Sequence, residues 1–437
     1  MIVKSIYTYV FKRNGSYYLY NSQTNFFSEI SQYLHDVIKE REWSKLSEEE
    51  LSMLMDKKII VHEDGLYDYF NAAKIKFMSS AYREDLLNLI IVPTTACNFA
   101  CPYCFEPKKS SKVMTVEVMD GIISFINSHT KAEDLYLTWY GGEPLLAFNI
   151  IRTLYNRIKA ETNVTIKHHS ITTNGYLFTD DIIDFFKETD LSRAQITLDG
   201  IRDRHNLTRY VKGNHAATFD VISKNIMSLA TKIPSADIAI RVNINRVNYM
   251  DFVELYKYYN TSETPSNISV YPGIIREETS DLCSLCVNSY KNGELFKLYK
   301  LFKEHGVFVN LFPRHKAKGC MMQKLNANII GPEGEIYKCW NDVNSPNKAV
   351  GNILTLDKEP ATLFYNYVNS TLPFEDKCKD CLQFPICDGG CGYHRFRNKF
   401  EGCSFDICNV YGTLEDLEDA LLTSLDKTID NKINLRL

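Results

Sequence analysis

Cys97, Cys101 and Cys104 form a C-x3-C-x2-C run, with Tyr103 between the last two, directly after an apolar segment, Leu87 to Thr95, that reads as a buried strand. A four-iron cluster needs four ligands, one per iron. A loop offering three thiolates leaves one iron open to a ligand from outside the protein. Fe–S clusters are normally closed by four cysteines, so a trio at this spacing points to a working site. A zinc site and a loop with coincidental cysteines are the alternatives. A second set lies toward the C-terminus. Cys320 is followed by Gly334 and Cys339, and then come Cys378, Cys381, Cys387 and Cys391 in a C-x2-C-x5-C-x3-C run, with Cys408 beyond. Four-cysteine zinc sites also close small loop-rich domains, and spacing alone leaves that choice open.

The chain has thirteen cysteines, an odd number, and Met1 to Phe11 lacks the basic, apolar and small-residue order of an export signal. In a reducing compartment such clustered cysteines read as metal ligands. A cytoplasmic, oxygen-sensitive protein is expected. Lys plus Arg is 50 and Asp plus Glu is 54, a net charge of −4. No basic tract points to nucleic acid, and no apolar run is long enough to span a membrane.

The elements that must position these residues follow from length and pattern. At 437 residues there is room for two or three domains. Residues 1–85 read as a small module: strands at 6–11 and 17–21 joined by Arg13-Asn14-Gly15, helices at 27–41 and 47–57, a strand at 59–61 and a turn at 63–65. Hairpin, helices and closing wing are the order of a winged-helix fold. Residues 86–310 alternate strand and helix, with strands at 87–95, 134–139, 168–173, 193–198, 237–245 and 267–271. Such alternation predicts an α/β fold with a parallel sheet, and six units suit a partial (β/α)6 barrel. Residues 311–437 hold most of the remaining cysteines, lose helical periodicity and end in a helix near 411–425.

The unusual short motifs all follow strand ends. They are the cysteine loop, Gly141-Gly142-Glu143-Pro144, Thr173-Asn174-Gly175, Thr197 to Gly200 with Asp199, and Arg241 to Asn245 with Asn243. In (β/α) barrels the carboxyl ends of the strands carry the active site, so these segments describe one pocket. Taken singly, Gly-Gly and Asp-Gly are ordinary turns, Arg209 and Arg241 ordinary surface arginines, and Asn174 and Asn243 ordinary caps.

From about Leu87 to Cys408 the chain resembles the radical S-adenosylmethionine (SAM) enzymes with a C-terminal SPASM domain, of the peptide-modifying group. The resemblance implies that Cys97, Cys101 and Cys104 hold a [4Fe–4S] cluster whose open iron chelates SAM. It places Tyr103 beside the adenine, Gly142 and its turn (Gly141, Glu143) at the methionine amino group, Thr197 at the ribose or carboxylate, and Arg209 at a SAM-contacting arginine. Asp199 and Asn243 share that rim, and Ile268 matches an adenine-packing position on the sixth strand. Two auxiliary Fe–S clusters are implied: Cys320, Cys339 and Cys391 for the inner one, and Cys378, Cys381, Cys387 and Cys408 for the outer one. Cys283, Cys286 or Cys403 would complete the inner set, unless one iron stays open. Sulfatase maturases of the family carry a catalytic Asp right after the Cys339 position. Here Trp340 stands there and Asp342 follows two residues later, which counts against formylglycine formation. The implied activity is reductive SAM cleavage and hydrogen abstraction from a ribosomal precursor peptide, closing a thioether, carbon–carbon or ether crosslink. The leader would dock on the N-terminal module, and electrons would come from a flavodoxin or ferredoxin. A sulfatase or quinoprotein maturase, and a non-catalytic metal-stapled scaffold, are the alternatives. No residue is assigned as catalytic acid or base.

Overall fold

The computed structural model describes residues 1–104, 111–275, 290–355, 361–370, 372–408 and 411–423. The chain opens with β1 (Ile2–Lys4), then a meander of β2 (Thr8–Arg13), β3 (Ser16–Asn21) and β4 (Phe26–Ile30). It continues with α1 (Gln32–Glu40), α2 (Glu48–Asp56), β5 (Ile60–His62) and α3 (Asp68–Ala81). The helix expected from residue 27 is a strand up to Ile30. Two adjacent aromatics suit a pleated edge, and Ser31 starts the helix by accepting from the Leu34 N–H. The expected wing is a single strand, β5, which pairs antiparallel with β1.

The central sheet is built from β6 (Leu86–Thr94), α4 (Val116–Ser128), β7 (Asp134–Gly141), α5 (Phe148–Glu161), β8 (Thr165–Thr173), α6 (Asp180–Glu188) and β9 (Arg193–Thr197). It goes on through α7 (Arg202–Thr208), α8 (Phe219–Lys232), β10 (Asp237–Ile244), α9 (Tyr249–Tyr259), β11 (Ile268–Ile274) and α10 (Leu295–Glu304). The six strands lie parallel and in sequence order. Leu87, Leu89, Ile91, Leu135, Leu137 and Trp139 enter the main core with the helices. Each such side chain contributes roughly 1.5–3 kcal/mol by burial. Alternation puts Asn88, Ile90, Tyr136 and Thr138 on the other face.

Next come β12 (Ala327–Ile330), β13 (Glu335–Tyr337), β14 (Gly351–Asn352), α11 (Thr362–Ser370), α12 (Asp376–Lys379), α13 (Gly392–Phe400) and α14 (Leu414–Leu422). β12 joins β6 in parallel, and β13 and β14 extend the sheet antiparallel to nine strands. The cysteine-rich segment is therefore tied to the sheet edge that leads into the cysteine loop.

Among the described residues no helix is long and apolar enough to cross a membrane.

Candidate active site

The loop carrying Cys97, Cys101 and Cys104 leaves β6 where Pro93 interrupts the ladder and the pairing register with β7 shifts. Backbone bonds hold the loop against the segment after α7: Ala100 N–H to Tyr210 O at 3.3 Å and Lys212 N–H to Asn98 O at 2.7 Å. The Phe99 N–H donates to the Cys97 sulfur at 3.4 Å. The neighbouring turn lies hard against this strand end. A Cβ on Gly142 would stand 2.4 Å from both the Thr95 and Ala96 carbonyl oxygens. Gly141 has φ +137°, and a Cβ there would stand 2.3 Å from the Thr94 oxygen.

The strand ends are linked into one rim. Glu143, fully buried, accepts from the Leu145 N–H at 3.0 Å, the Thr173 hydroxyl at 2.7 Å and the Asn174 N–H at 2.7 Å. Burial pushes its carboxyl up, and those three donors oppose the shift. Glu143, expected at the cofactor, is thus occupied as a strut between the loops after β7 and β8. Asn174 Nδ2 donates to Asn98 Oδ1 at 2.7 Å, which ties the β8 end to the cysteine loop.

Across the rim, Tyr103 donates from its hydroxyl to Asp199 and accepts from Arg209 Nη1 at 2.7 Å. Asp199 also accepts from the Asn243 N–H at 3.2 Å. Burial raises the Asp199 carboxyl, and the Arg209 charge works against that rise. Burial alone would lower the Arg209 guanidinium, but Tyr103, Cys101 and Asp199 hold it well above its ordinary value. Arg209 Nε is buried without a partner.

Behind Asp199 runs a neutral relay. The Asp199 N–H donates to His205 Nδ1 at 3.1 Å, so the ring proton sits on Nε2, which meets Thr218 Oγ1 at 3.0 Å. Thr218 in turn donates to the Arg209 carbonyl at 2.6 Å. Burial holds His205 down at about 3. This relay fixes both Asp199 and Arg209, and no motif in the sequence announces it.

Thr197 ends β9 opposite Arg241, and Arg241 Nε donates to Asn243 Oδ1 at 2.9 Å above Gly273. Ile268 is not brought to this rim. It starts β11 in register with Ile238, six residues and roughly 20 Å of strand from the end at Ile274.

The C-terminal cysteines gather in two places. Cys339 lies within electrostatic range of Cys391 and Cys320, and burial drives its thiol well up. A Cβ on Gly392 would lie 3.4 Å from the Cys320 sulfur, which accepts from the Met322, Gln323 and Gly392 N–H groups. In the other group Cys381 is within range of Cys378 and Cys408, and Cys387 of Cys378. The Gly389 N–H donates to the Cys387 sulfur at 3.3 Å. Cys403 follows α13, its thiol toward the Glu401 carbonyl at 3.9 Å. Cys283 and Cys286 lie outside the described residues. Among the described residues no three His, Cys, Asp or Glu side chains converge as they would on one ion. A four-iron cluster instead spreads its thiolates over separate irons.

A cavity of about 370 Å³ opens on the face of the sheet turned from the helices, lined by Asn88, Ile90, Tyr136, Thr138, Lys167 and His168 with Met321 and Trp340. Leu135 pairs with Ile166 but Tyr136 with His168, so Lys167 is the extra residue of a bulge. Bulges re-aim side chains, and here both Lys167 and His168 line the cavity. Trp340 stands edge-on to Tyr140 at 4.5 Å, directly after Cys339.

Residues 91–286 match the Radical SAM superfamily. The chain carries a radical SAM domain. A cysteine-type anaerobic sulfatase-maturating enzyme of Clostridium novyi is 26% identical over 377 residues, 78% of this chain and 98% of the relative. A solved chain of native anSMEcpe, bound to AdoMet and a peptide, is 21% identical, covers 78% of this chain and 98% of its own, and has a TM-score of 0.59. Streptococcus suis SuiB bound to precursor peptide SuiA is 15% identical, covers 94% and 100%, and has a TM-score of 0.52. The protein is an enzyme, and the radical SAM domain over residues 91–286 implies SAM and a [4Fe–4S] cluster. The rim fits both groups. It offers three loop thiols, a glycine turn with no space for a side chain, and a buried guanidinium whose Nε lacks an acceptor.

Proposed function

We propose that this radical SAM enzyme modifies a ribosomally made precursor peptide, taking hydrogen from it and closing a thioether, carbon–carbon or ether crosslink. Cys97, Cys101 and Cys104 would hold the cluster, and Arg209 would meet the carboxylate of SAM. When bound, these groups supply a carbon radical able to take a hydrogen atom from an unactivated carbon. The chain's own part is to orient SAM through Gly142, Tyr103 and Arg209 and to keep water from the rim.

The cavity at Lys167 and Trp340 carries the reading. It opens on the sheet face turned from the helices, in the half of β6 to β8 below the rim, and Met321 and Trp340 join it to the inner cysteine group, with room for side chains of an extended peptide. An indole forms its wall at the position where the resemblance expects a maturase acid, which favours crosslinking over formylglycine formation. SuiB, solved with a precursor peptide, shares the fold. The edge strand β4 offers unpaired backbone groups to a leader added as a strand. Cys320, Cys339 and Cys391 would hold one auxiliary cluster, and Cys378, Cys381, Cys387 and Cys408 another, with flavodoxin or ferredoxin as donor.

Anaerobic reconstitution should give about twelve irons per chain, four for each of three clusters, and 5′-deoxyadenosine from SAM under reduction. Cys101→Ala should abolish that product. Coexpression with a short peptide encoded beside the gene should give a mass loss of two hydrogens per crosslink. Zinc without SAM cleavage would sink the reading. The similarity to sulfatase maturases supplies the rival, and formylglycine in a coexpressed sulfatase would favour it.

A further inference from the structure

Tyr7 is 1% exposed, and its hydroxyl has no hydrogen-bond partner. Leaving such a group unsatisfied costs about 1–3 kcal/mol, so buried tyrosine hydroxyls normally find one. The ring lies in an aromatic group contributed by two distant parts of the chain. Tyr69 meets it edge-on at 5.3 Å, and Phe384 packs on Tyr69 at 6.3 Å and on Phe70 at 5.0 Å. Cys378 and Cys381 pack against this same group. Cys381 and Asp380 lie within electrostatic range of the hydroxyl. Asp380 already accepts from the Tyr67 hydroxyl at 3.1 Å, and Lys379 caps the Tyr67 ring at 3.9 Å. Asp380 is exposed to solvent, whereas Cys381 packs on the Tyr7 group, so its sulfur is the more buried of the two acceptors in range.

We propose that the Tyr7 hydroxyl donates a hydrogen bond to the Cys381 sulfur when the outer cysteine group holds its cluster, which makes Tyr7 a positioning and tuning residue of that centre. The inference rests on the reading that Cys378, Cys381, Cys387 and Cys408 bind Fe–S. A donor at a ligating sulfur draws charge from the cluster, favours its reduced state and raises its potential. The Gly389 N–H already donates to the Cys387 sulfur, and Tyr7 would add a second such bond at Cys381. Through Tyr7, residues 1–85 would then help to set the potential of that centre.

The test is an EPR-monitored redox titration of the reconstituted full chain, comparing wild type with Tyr7→Phe and Tyr69→Phe. The phenyl ring keeps the packing, so iron content should match wild type. One auxiliary signal should move to a more negative midpoint in Tyr7→Phe alone, with the other signals unmoved. Matching midpoints at full iron content would overturn the hydrogen bond while leaving the cluster assignment intact. Zinc, or no metal, at the outer cysteines would overturn both together.

Discussion

Arg209 is the residue on which the rim's charge balance turns. It is 9% exposed, 3.9 Å from Asp199, and bonded through Nη1 to the Tyr103 hydroxyl that also serves Asp199. An isolated buried pair of this kind gains little net stability, because desolvation offsets attraction. Its value here lies in presenting Nε, unpartnered, beside the cysteine loop. Arg209→Lys keeps the positive charge but loses the planar fork and the Nε donor. The expected result is SAM binding weaker by about tenfold or more, a loss of at least about 1.4 kcal/mol, read by equilibrium binding to the reconstituted enzyme. Unchanged affinity would remove Arg209 from the cofactor's shell. Read singly the arginine looks solvated, and only the family resemblance marks it as a SAM contact; its bonding to Tyr103 and Asp199 is not legible in the sequence. The Tyr103–Asp199–Arg209 contact is made between loops about a hundred residues apart, and only the fold brings them together.

At the scale of elements, the glycine turn after β7 is the part least able to absorb change. Gly142→Ala would drive a methyl into two backbone carbonyls at 2.4 Å, and neither can swing away as a side chain would. The expected outcome is loss of SAM binding with a fall in thermal stability of several degrees. Gly213→Ala is the control for closeness: nothing lies within 4 Å of its would-be Cβ, although its φ of +95° carries a backbone strain that Gly142 does not. A loss of SAM binding at Gly213 as large as at Gly142 would mean that the closeness of the turn is not what decides the outcome. The strands were legible because buried parallel strands are near-continuous apolar runs, and the order β6 to β11 follows from their alternation with helices. Other elements were hidden for physical reasons. β4 carries Phe26 and Phe27, which fit a helix start as well as an edge strand until Ser31 caps α1. β12 to β14 are too short to show a period. The bulge at Lys167 is a pairing event between strands, absent from the local pattern, yet it supplies two walls of the cavity. Ile268 failed for the opposite reason: the strand was found, but its polarity puts that residue at the end away from the rim.

Taken as a whole, the molecule is held by histidines that must stay neutral, and this makes its acid response predictable. His169 accepts from Trp139 Nε1 at 2.8 Å and donates from Nδ1 to the Thr189 carbonyl at 3.1 Å, at the junction of β7, β8 and α6. Burial lowers it to about 4, and His205 to about 3. The unfolded chain protonates such side chains near 6.5, so below that pH the unfolded state binds protons that the folded state refuses. The stability they confer is complete above about 6.5 and is lost as pH falls toward 4 and then 3. By pH 5 each has removed about 2 kcal/mol. Asp342, pushed up to about 6 by burial, acts with the opposite sign. Its folded form keeps a proton that the unfolded form releases, so its contribution is lost as pH rises from about 3.8 to 6. The wild-type slope is the sum of these, and acid damage to any cluster adds to it. His169→Gln separates the terms, since the amide can accept from Trp139 and donate to Thr189 but does not titrate. Denaturant midpoints at pH 7.5 and pH 5 should converge for that variant by about the His169 share, with Asp342 and the clusters common to both proteins. Parallel pH profiles in wild type and variant would show that His169 takes up its proton in the folded protein and that the neutral pair with Trp139 is not what fixes this sheet.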